Sequence, residues 1–83
     1  MTMSHPRAEA ARLALRAIQD SLDNRGFPPT KREISTALGW ASSSQGHRVL
    51  EQLEAAGLIT YQPHIPRSSR ITATGMKALT EEL

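Results

Sequence analysis

The chain has 83 residues, which suits one domain with a small core, because a chain this short buries only roughly 60–65% of its extended surface. Cysteine is absent, which excludes disulfides, thiolate metal sites and a cysteine nucleophile, and no apolar run approaches the roughly 18–20 residues that cross a bilayer. Net charge is +2, but residues 25–48 hold four basic residues against one acid, and residues 58–80 hold three basic residues and no acid.

The first predicted helix covers residues 6–24. Ser4 or His5 is a candidate N-cap, and apolar side chains recur at helical spacing on one face, at Ala8, Ala11, Ala14, Leu15, Ile18 and Leu22. The Phe-Pro-Pro segment that follows cannot continue a helix, because proline lacks a donor and restricts the residue before it. We expect a stiff extended spacer, with Phe27 packed in the core beside Ile34.

A second helix is predicted over residues 30–38. Thr30 lies three residues before Glu33, the spacing of a capping box in which each side chain takes an orphan backbone N–H of the other residue. The apolar residues Ile34, Ala37 and Leu38 follow at helical spacing. Gly39 is the residue type that stops a helix at C′, and Trp40 is placed to fold back onto the last turn.

A third helix is predicted over residues 43–56. Ser42 and Gln45 repeat the capping signature, and one apolar stripe is formed by Val49, Leu50, Leu53 and Ala56. Gly46 inside the helix costs about 1 kcal/mol against Ala, so we expect it to permit close approach of another helix or of DNA. Two capped helices joined by a Gly-containing turn predict a helix-turn-helix, whose second helix usually lies in the major groove.

A wing is predicted over residues 58–73. Residues 58–62 and 67–73 have the composition of strands, and a turn with two prolines separates them. An ordinary surface hairpin is the alternative. Thr74 is predicted to cap a C-terminal helix over residues 75–82, with Met76, Leu79 and Leu83 on one face that closes the core or pairs with a second copy.

Side chains suited to DNA contact form two sets. The outer face of the third helix carries types that read base edges, namely Ser42, Ser44, Gln45, His47 and Arg48. The start of the second helix and the wing carry groups suited to phosphates, namely Thr30, Lys31, Arg32, His64, Arg67 and Arg70. The alternative for both sets is solvated surface.

Catalysis has little support in the sequence. The three histidines lie on separate predicted elements, with no carboxylate pair or Gly-rich phosphate loop beside them. His47 and Glu51 are four residues apart on one helix, but two groups do not make a metal site of three or four ligands, so a surface hydrogen-bonded pair is expected. We predict no enzyme activity, no metal, no cofactor and no small-molecule ligand.

The segment RGFPPTKREISTALG at residues 25–39, followed by Trp40, Ser42 and the run LEQLEAAGLI, resembles the N-terminal DNA-binding domain of the LexA repressor family. The resemblance covers residues 15–72 and implies a winged helix-turn-helix that binds duplex DNA, with the base-reading set placed as above. LexA-type repressors also carry a self-cleaving Ser–Lys peptidase domain and a dimer interface. We expect this chain, which ends at Leu83, to lack both. The base-reading residues differ from the family's acidic and Asn/Ala types, so its operator is not carried over.

These patterns predict a mostly α fold with a small β-hairpin: a single winged helix-turn-helix domain over residues 1–83, with a three-helix core, a two-stranded wing and a short C-terminal helix. The expected function is sequence-specific regulation of transcription on duplex DNA, as a repressor of prokaryotic or phage type that could bind paired half-sites as a homodimer. We expect a cytoplasmic, nucleoid-associated protein without membrane contact. The alternative is a winged-helix protein–protein interaction module that reads no bases.

Overall fold

The computed structural model describes residues 6–62 and 64–82, with side chains described for residues 9–62 and 64–80. Within these residues the elements follow in the order α1 (Pro6–Arg25), α2 (Lys31–Ala37), α3 (Ser43–Ala55), β1 (Ile59–Thr60), β2 (Arg70–Ile71) and α4 (Ala73–Glu82). α2 packs on α3 and both pack on α1, while β1 lies against α3, and β2 and α4 lie against α1. The predicted winged helix-turn-helix class is confirmed. The predicted cap at Ser4 or His5, and Leu83, lie outside the described residues.

The ends of α2 and α3 follow the local sequence signals. Thr30 Oγ1 accepts a hydrogen bond from the Glu33 backbone N–H (3.1 Å), and Glu33 Oε1 accepts one from the Thr30 N–H (2.9 Å), so the predicted capping box is confirmed. At the other end of α2, Gly39 has a φ of 81°, and the Trp40 N–H donates to the Ser35 carbonyl (2.8 Å). This pattern is a Schellman motif, which satisfies carbonyls that the helix leaves unpaired.

The start of α3 differs in one detail from the prediction. Ser42 is the N-cap, as expected, but its hydroxyl accepts from the Ser44 N–H (3.2 Å), whereas Gln45 was expected to complete a capping box. The Gln45 N–H donates to the Ser42 carbonyl instead, at 3.3 Å. This i→i−3 bond is of the 3₁₀ type that is common in the first turn of a helix, and the Gln45 side chain stays exposed.

Gly46 sets the close packing of α2 on α3. A Cβ atom at this position would overlap the Lys31 carbonyl oxygen and lie 2.6 Å from Ser35 Oγ. Ser35, only 2% exposed, accepts a hydrogen bond from the Gly46 N–H (2.9 Å) and donates one to the Ser42 carbonyl (2.8 Å). Of the two roles predicted for this glycine, helix-to-helix approach is the one that the fold uses.

The core lies where α1, α2, α3 and β1 meet. Its buried apolar side chains are Ala14, Leu15, Ile18, Ile34, Val49, Leu50, Leu53, Ile59 and Tyr61. Burial of each large aliphatic side chain contributes about 1.5–3 kcal/mol, so the apolar stripes of the three helices hold them together. The prediction that Phe27 packs in the core was wrong. Ala37 and Ala56 are exposed at helix ends, and Phe27 is 40% exposed because it packs against charged groups outside the core.

The wing has a shorter ladder than predicted. β1 and β2 have two residues each and pair antiparallel, Ile59 with Ile71 and Thr60 with Arg70. The described residues 61–62 and 64–69, here called the wing loop, do not continue the ladder. Instead Ser68 Oγ accepts from the Gln62 N–H and donates to the Gln62 carbonyl, both at 2.9 Å. A side chain thus takes the hydrogen bonds that a returning strand would have supplied.

The cap of α4 is Thr72, and the prediction of Thr74 was wrong. α4 begins at Ala73, and Thr72 Oγ1 accepts a hydrogen bond from the Gly75 N–H at 3.0 Å. The same hydroxyl donates to the Gly57 carbonyl at 2.7 Å, so it joins the cap to the turn after α3. Of the residues predicted to share a face that closes the core or pairs with a second copy, Leu79 packs against the core and Met76 is 43% exposed. Among the described helices, none has the length and apolarity needed to cross a membrane.

Candidate nucleic-acid interface

The first two turns of α3 present polar side chains to solvent. Ser42, Ser44, Gln45 and Arg48 are exposed, and the Ser42 and Ser44 hydroxyls lie 2.7 Å apart in a hydrogen bond. This face is opposite to the buried stripe formed by Val49, Leu50 and Leu53. Hydroxyl, amide and guanidinium groups are thereby gathered on one face without an acidic side chain among them.

His47 differs from its neighbours because both of its ring nitrogens have partners. Nδ1 lies 2.8 Å from the hydroxyl of Tyr61, and Nε2 lies 3.3 Å from Glu51 Oε2. The His47 and Tyr61 rings meet edge to face, with centroids 6.1 Å apart. The half-buried imidazole therefore joins α3 to the first residue of the wing loop. The expected pairing of His47 with Glu51 is confirmed, and Tyr61 is a partner that the sequence did not indicate.

Burial raises the pKa of Tyr61 above its ordinary value, and the charges of Glu51 and Glu54 raise it further. The phenol therefore keeps its proton at neutral pH and can donate to Nδ1 of His47. In that arrangement the remaining proton of a neutral imidazole sits on Nε2, which points toward Glu51.

A groove of about 600 Å³ lies between the start of α2, the first turn of α3 and the wing loop. The side chains predicted to contact phosphates line it, with the exception of Arg70: Thr30, Lys31, Arg32, His64 and Arg67. Lys31, Arg32 and His64 are exposed. The fold thus brings the two basic segments of the sequence, which are separated along the chain, to opposite walls of one groove beside α3.

Neither Arg70 nor Arg67 extends freely into solvent, because the guanidinium of each is hydrogen-bonded within the protein. Arg70 is exposed, but its Nη1 donates to the main-chain carbonyls of Ser69 (2.8 Å) and Arg67 (3.3 Å). Arg67 turns toward α2, where Nη1 and Nη2 donate to Glu33 Oε1 and Oε2 at 2.9 and 3.0 Å. Nη1 also donates to the Pro28 carbonyl at 3.1 Å.

Glu33 receives a second guanidinium from the end of α1. Arg25 Nη2 and Nη1 donate to its two carboxylate oxygens at 3.1 and 3.3 Å. Hydrogen bonds from Arg25, from Arg67 and from the Thr30 N–H stabilise the ionised form and lower the pKa of Glu33 from 4.5 to about 2. Glu33 therefore carries its charge throughout the ordinary pH range.

Phe27 completes this arrangement. The Arg25 and Arg67 guanidinium carbons lie 4.9 and 4.6 Å from the centroid of its ring, within the range of cation–π attraction. We call Arg25, Phe27, Glu33 and Arg67 the Glu33 cluster. Its existence was not predicted, because the sequence signal at Glu33 was fully explained by local capping. The partner Arg67 is 34 positions away along the chain.

Among the described residues, no three His, Asp or Glu side chains come together as metal ligands would. The chain matches a family described as the LexA DNA binding domain, over residues 5–68, which run from α1 into the wing loop. The matched region is therefore a DNA-binding domain of a regulatory type.

Relatives agree with this match. The chain is 46% identical over 65 residues to the LexA repressor of Lactobacillus acidophilus, covering 78% of this chain and 31% of that repressor. It is 44% identical over 61 residues to that of Lacticaseibacillus casei (74% and 29%), and 42% identical over 65 residues to that of Oenococcus oeni (78% and 31%). The chain spans about 30% of the length of these relatives. It belongs to the LexA DNA-binding domain family.

Proposed function

We propose that this domain is a sequence-specific transcriptional regulator of prokaryotic or phage type that binds duplex DNA on the nucleoid as a repressor. The carrying observation is that the exposed polar face of α3 lies beside a groove lined by basic side chains. α3 has 13 residues, which at 1.5 Å per residue is about 20 Å of helix. An α-helix with its side chains is about 10–12 Å across, so it fits the B-DNA major groove, which is about 12 Å wide. Similarity to proteins named LexA repressor supports the repressor role.

The proposed base-reading set is Ser42, Ser44, Gln45, His47 and Arg48. Gln45 and Arg48 lead this set, because their side chains are exposed and make no hydrogen bond or ion pair within the described part of the chain. Glutamine is suited to adenine and arginine to guanine. His47 has Tyr61 at Nδ1 and Glu51 at Nε2, so a base contact by its ring would have to share or replace one of these partners.

The proposed phosphate contacts flank this face on both sides. They are Thr30, Lys31 and Arg32 at the start of α2, and His64 and Arg70 on the wing. Arg67 belongs to the same predicted set, but its guanidinium is bound to Glu33.

The test is fluorescence anisotropy against a pool of random duplexes over a salt series, followed by sequencing of the retained pool. Each phosphate contact contributes about −0.9 to the slope of log affinity against log salt, so several contacts give a steep curve. An enriched motif establishes sequence-specific binding. A shallow slope with no enriched motif contradicts the proposal and favours the alternative, a protein–protein interaction module.

Three variants separate the proposed roles. Arg48→Ala should lose about 1–3 kcal/mol at one base position and relax the preference there. Lys31→Ala should weaken all sequences alike and reduce the salt slope by about 1. Lys77→Ala is the matched control, because it removes the same charge from an exposed position on α4, outside the groove. If Lys77→Ala matches Lys31→Ala, the binding reflects net charge alone.

We further propose that the domain binds paired half-sites as a homodimer, because two-fold recognition raises affinity and fixes half-site spacing. Leu13 on α1 and Met76 on α4 are exposed apolar side chains outside both DNA-contacting sets, and they offer surface for a second copy. Equilibrium sedimentation that shows a monomer, both free and on DNA, would remove this part of the proposal.

A further inference from the structure

The hairpin by itself does not fix the position of the wing loop on the rest of the domain. β1 and β2 contribute two residues each, and a ladder this short does not hold a loop in one orientation by itself. Inside the loop, Ser68 binds both backbone groups of Gln62, and the Ile65 N–H donates to the Gln62 carbonyl at 3.0 Å. These bonds close the loop on itself, and Tyr61 joins its first residue to α3 through His47, but none of them sets the position of the loop relative to α2.

Arg67 provides the contact that joins the wing loop to α2. Its backbone lies in the left-handed region with a φ of 57°, which is uncommon for a residue other than glycine. This turn directs the side chain back toward α2, where the guanidinium binds Glu33 through two parallel hydrogen bonds of 2.9 and 3.0 Å. A planar guanidinium that binds a carboxylate at two points fixes orientation as well as distance.

Glu33 is the point at which three segments meet. Its carboxylate accepts hydrogen bonds from Arg25 at the end of α1, from the Thr30 N–H at the start of α2, and from Arg67 in the wing loop. The Phe27 ring lies against both guanidiniums. The residues next to Glu33 in sequence, Lys31 and Arg32, line the groove whose opposite wall is the wing loop.

We propose that Glu33 is a positioning residue for DNA binding: through Arg67 it holds the wing at a set distance from the start of α2. The wing and the helix-turn-helix then meet one duplex together. This inference rests on the proposed function. In this arrangement the Arg67 guanidinium pairs with the Glu33 carboxylate and does not bind a phosphate.

The proposal and direct phosphate contact by Arg67 predict opposite results for Glu33→Gln. If Arg67 binds phosphate, loss of the Glu33 charge releases the guanidinium, so affinity and salt slope stay the same or rise. If Glu33 positions the wing, Glu33→Gln releases the wing and its phosphate contacts are lost. The salt slope then becomes shallower by about 0.9 for each lost contact. Glutamine at this position still completes a capping box, so α2 keeps its start.

Arg67→Lys is the second variant, because lysine keeps the charge but cannot bind a carboxylate through a planar fork. Positioning predicts that Arg67→Lys weakens DNA binding as Glu33→Gln does, whereas direct phosphate contact predicts near-wild-type binding. Leu79→Ala is the control for stability alone, because Leu79 packs on the core from α4, remote from the Glu33 cluster. It should lower the melting temperature and leave the salt slope unchanged.

The experiment measures salt slopes on the random duplex pool for all four proteins, together with amide hydrogen exchange of each free protein. If Glu33 positions the wing, Glu33→Gln and Arg67→Lys should both show faster amide exchange in the wing loop and a shallower salt slope. Leu79→Ala should show neither change. Unchanged exchange in the loop, or an unchanged slope while wild type binds DNA, overturns the inference alone. Absence of DNA binding by wild type overturns the proposed function, and this inference with it.

Discussion

Replacement of Gly46 by alanine tests the packing that sets α3 on α2. At an open helix position this change stabilises by about 1 kcal/mol. Here the added Cβ meets the Lys31 carbonyl, which is backbone and cannot rotate away, and the buried Ser35 hydroxyl. Overpacking costs about 1–3 kcal/mol, and weakening of the hydrogen bond from the Gly46 N–H to Ser35 costs about 1 kcal/mol more.

The net expectation for Gly46→Ala is therefore a loss of about 1–3 kcal/mol, once the propensity gain is subtracted. A domain of this size is stable by roughly 4–12 kcal/mol at 0.05–0.15 kcal/mol per residue. The melting temperature should fall by about 4–8 °C for each kcal/mol lost.

The assay is urea and thermal unfolding followed by far-UV circular dichroism. A matched pair at an exposed site on the same helix, Gln52→Gly and Gln52→Ala, measures the propensity difference without the clash. If Gly46→Ala is as stable as wild type while the Gln52 pair shows the ordinary difference, the close-packing argument is refuted.

Three further predictions concern ionisation and capping. Because the pKa of Glu33 is lowered from 4.5 to about 2, its stabilisation is complete above pH 4.5 and is lost as pH falls toward 2. Urea unfolding across this range should show a decline that Glu33→Gln flattens, and an equally steep decline in the variant would contradict it. Because burial raises the pKa of Tyr61 above the ordinary 10.0, an ultraviolet titration should show its phenol ionising above pH 10.0. Stability should fall as pH rises from 10.0 through the raised pKa. Ionisation at or below pH 10.0 would argue against burial. Thr72→Ala should cost about 1 kcal/mol, whereas the exposed Thr74 should tolerate alanine within about 0.5 kcal/mol, and equal losses would disprove the cap assignment.

The sequence determined the helix-turn-helix because its signals are local. A capping box needs residues three positions apart, a Schellman motif needs a glycine just past the helix, and an apolar stripe needs only the helical period. The structure accordingly shows the Thr30–Glu33 box, the positive φ of Gly39, and the buried Val49, Leu50 and Leu53. These features also carry the resemblance to the LexA family, and the family match agrees with it.

The tertiary structure decided what each side chain faces. Phe27 lies outside the core because its ring packs against two guanidiniums, one from α1 and one from the wing loop. Arg67 turns to Glu33 because a left-handed backbone and a carboxylate 34 positions away meet only after folding. Composition and periodicity report which residues can be buried or charged. They carry no information on distances between segments that are remote along the chain, and those distances define the groove.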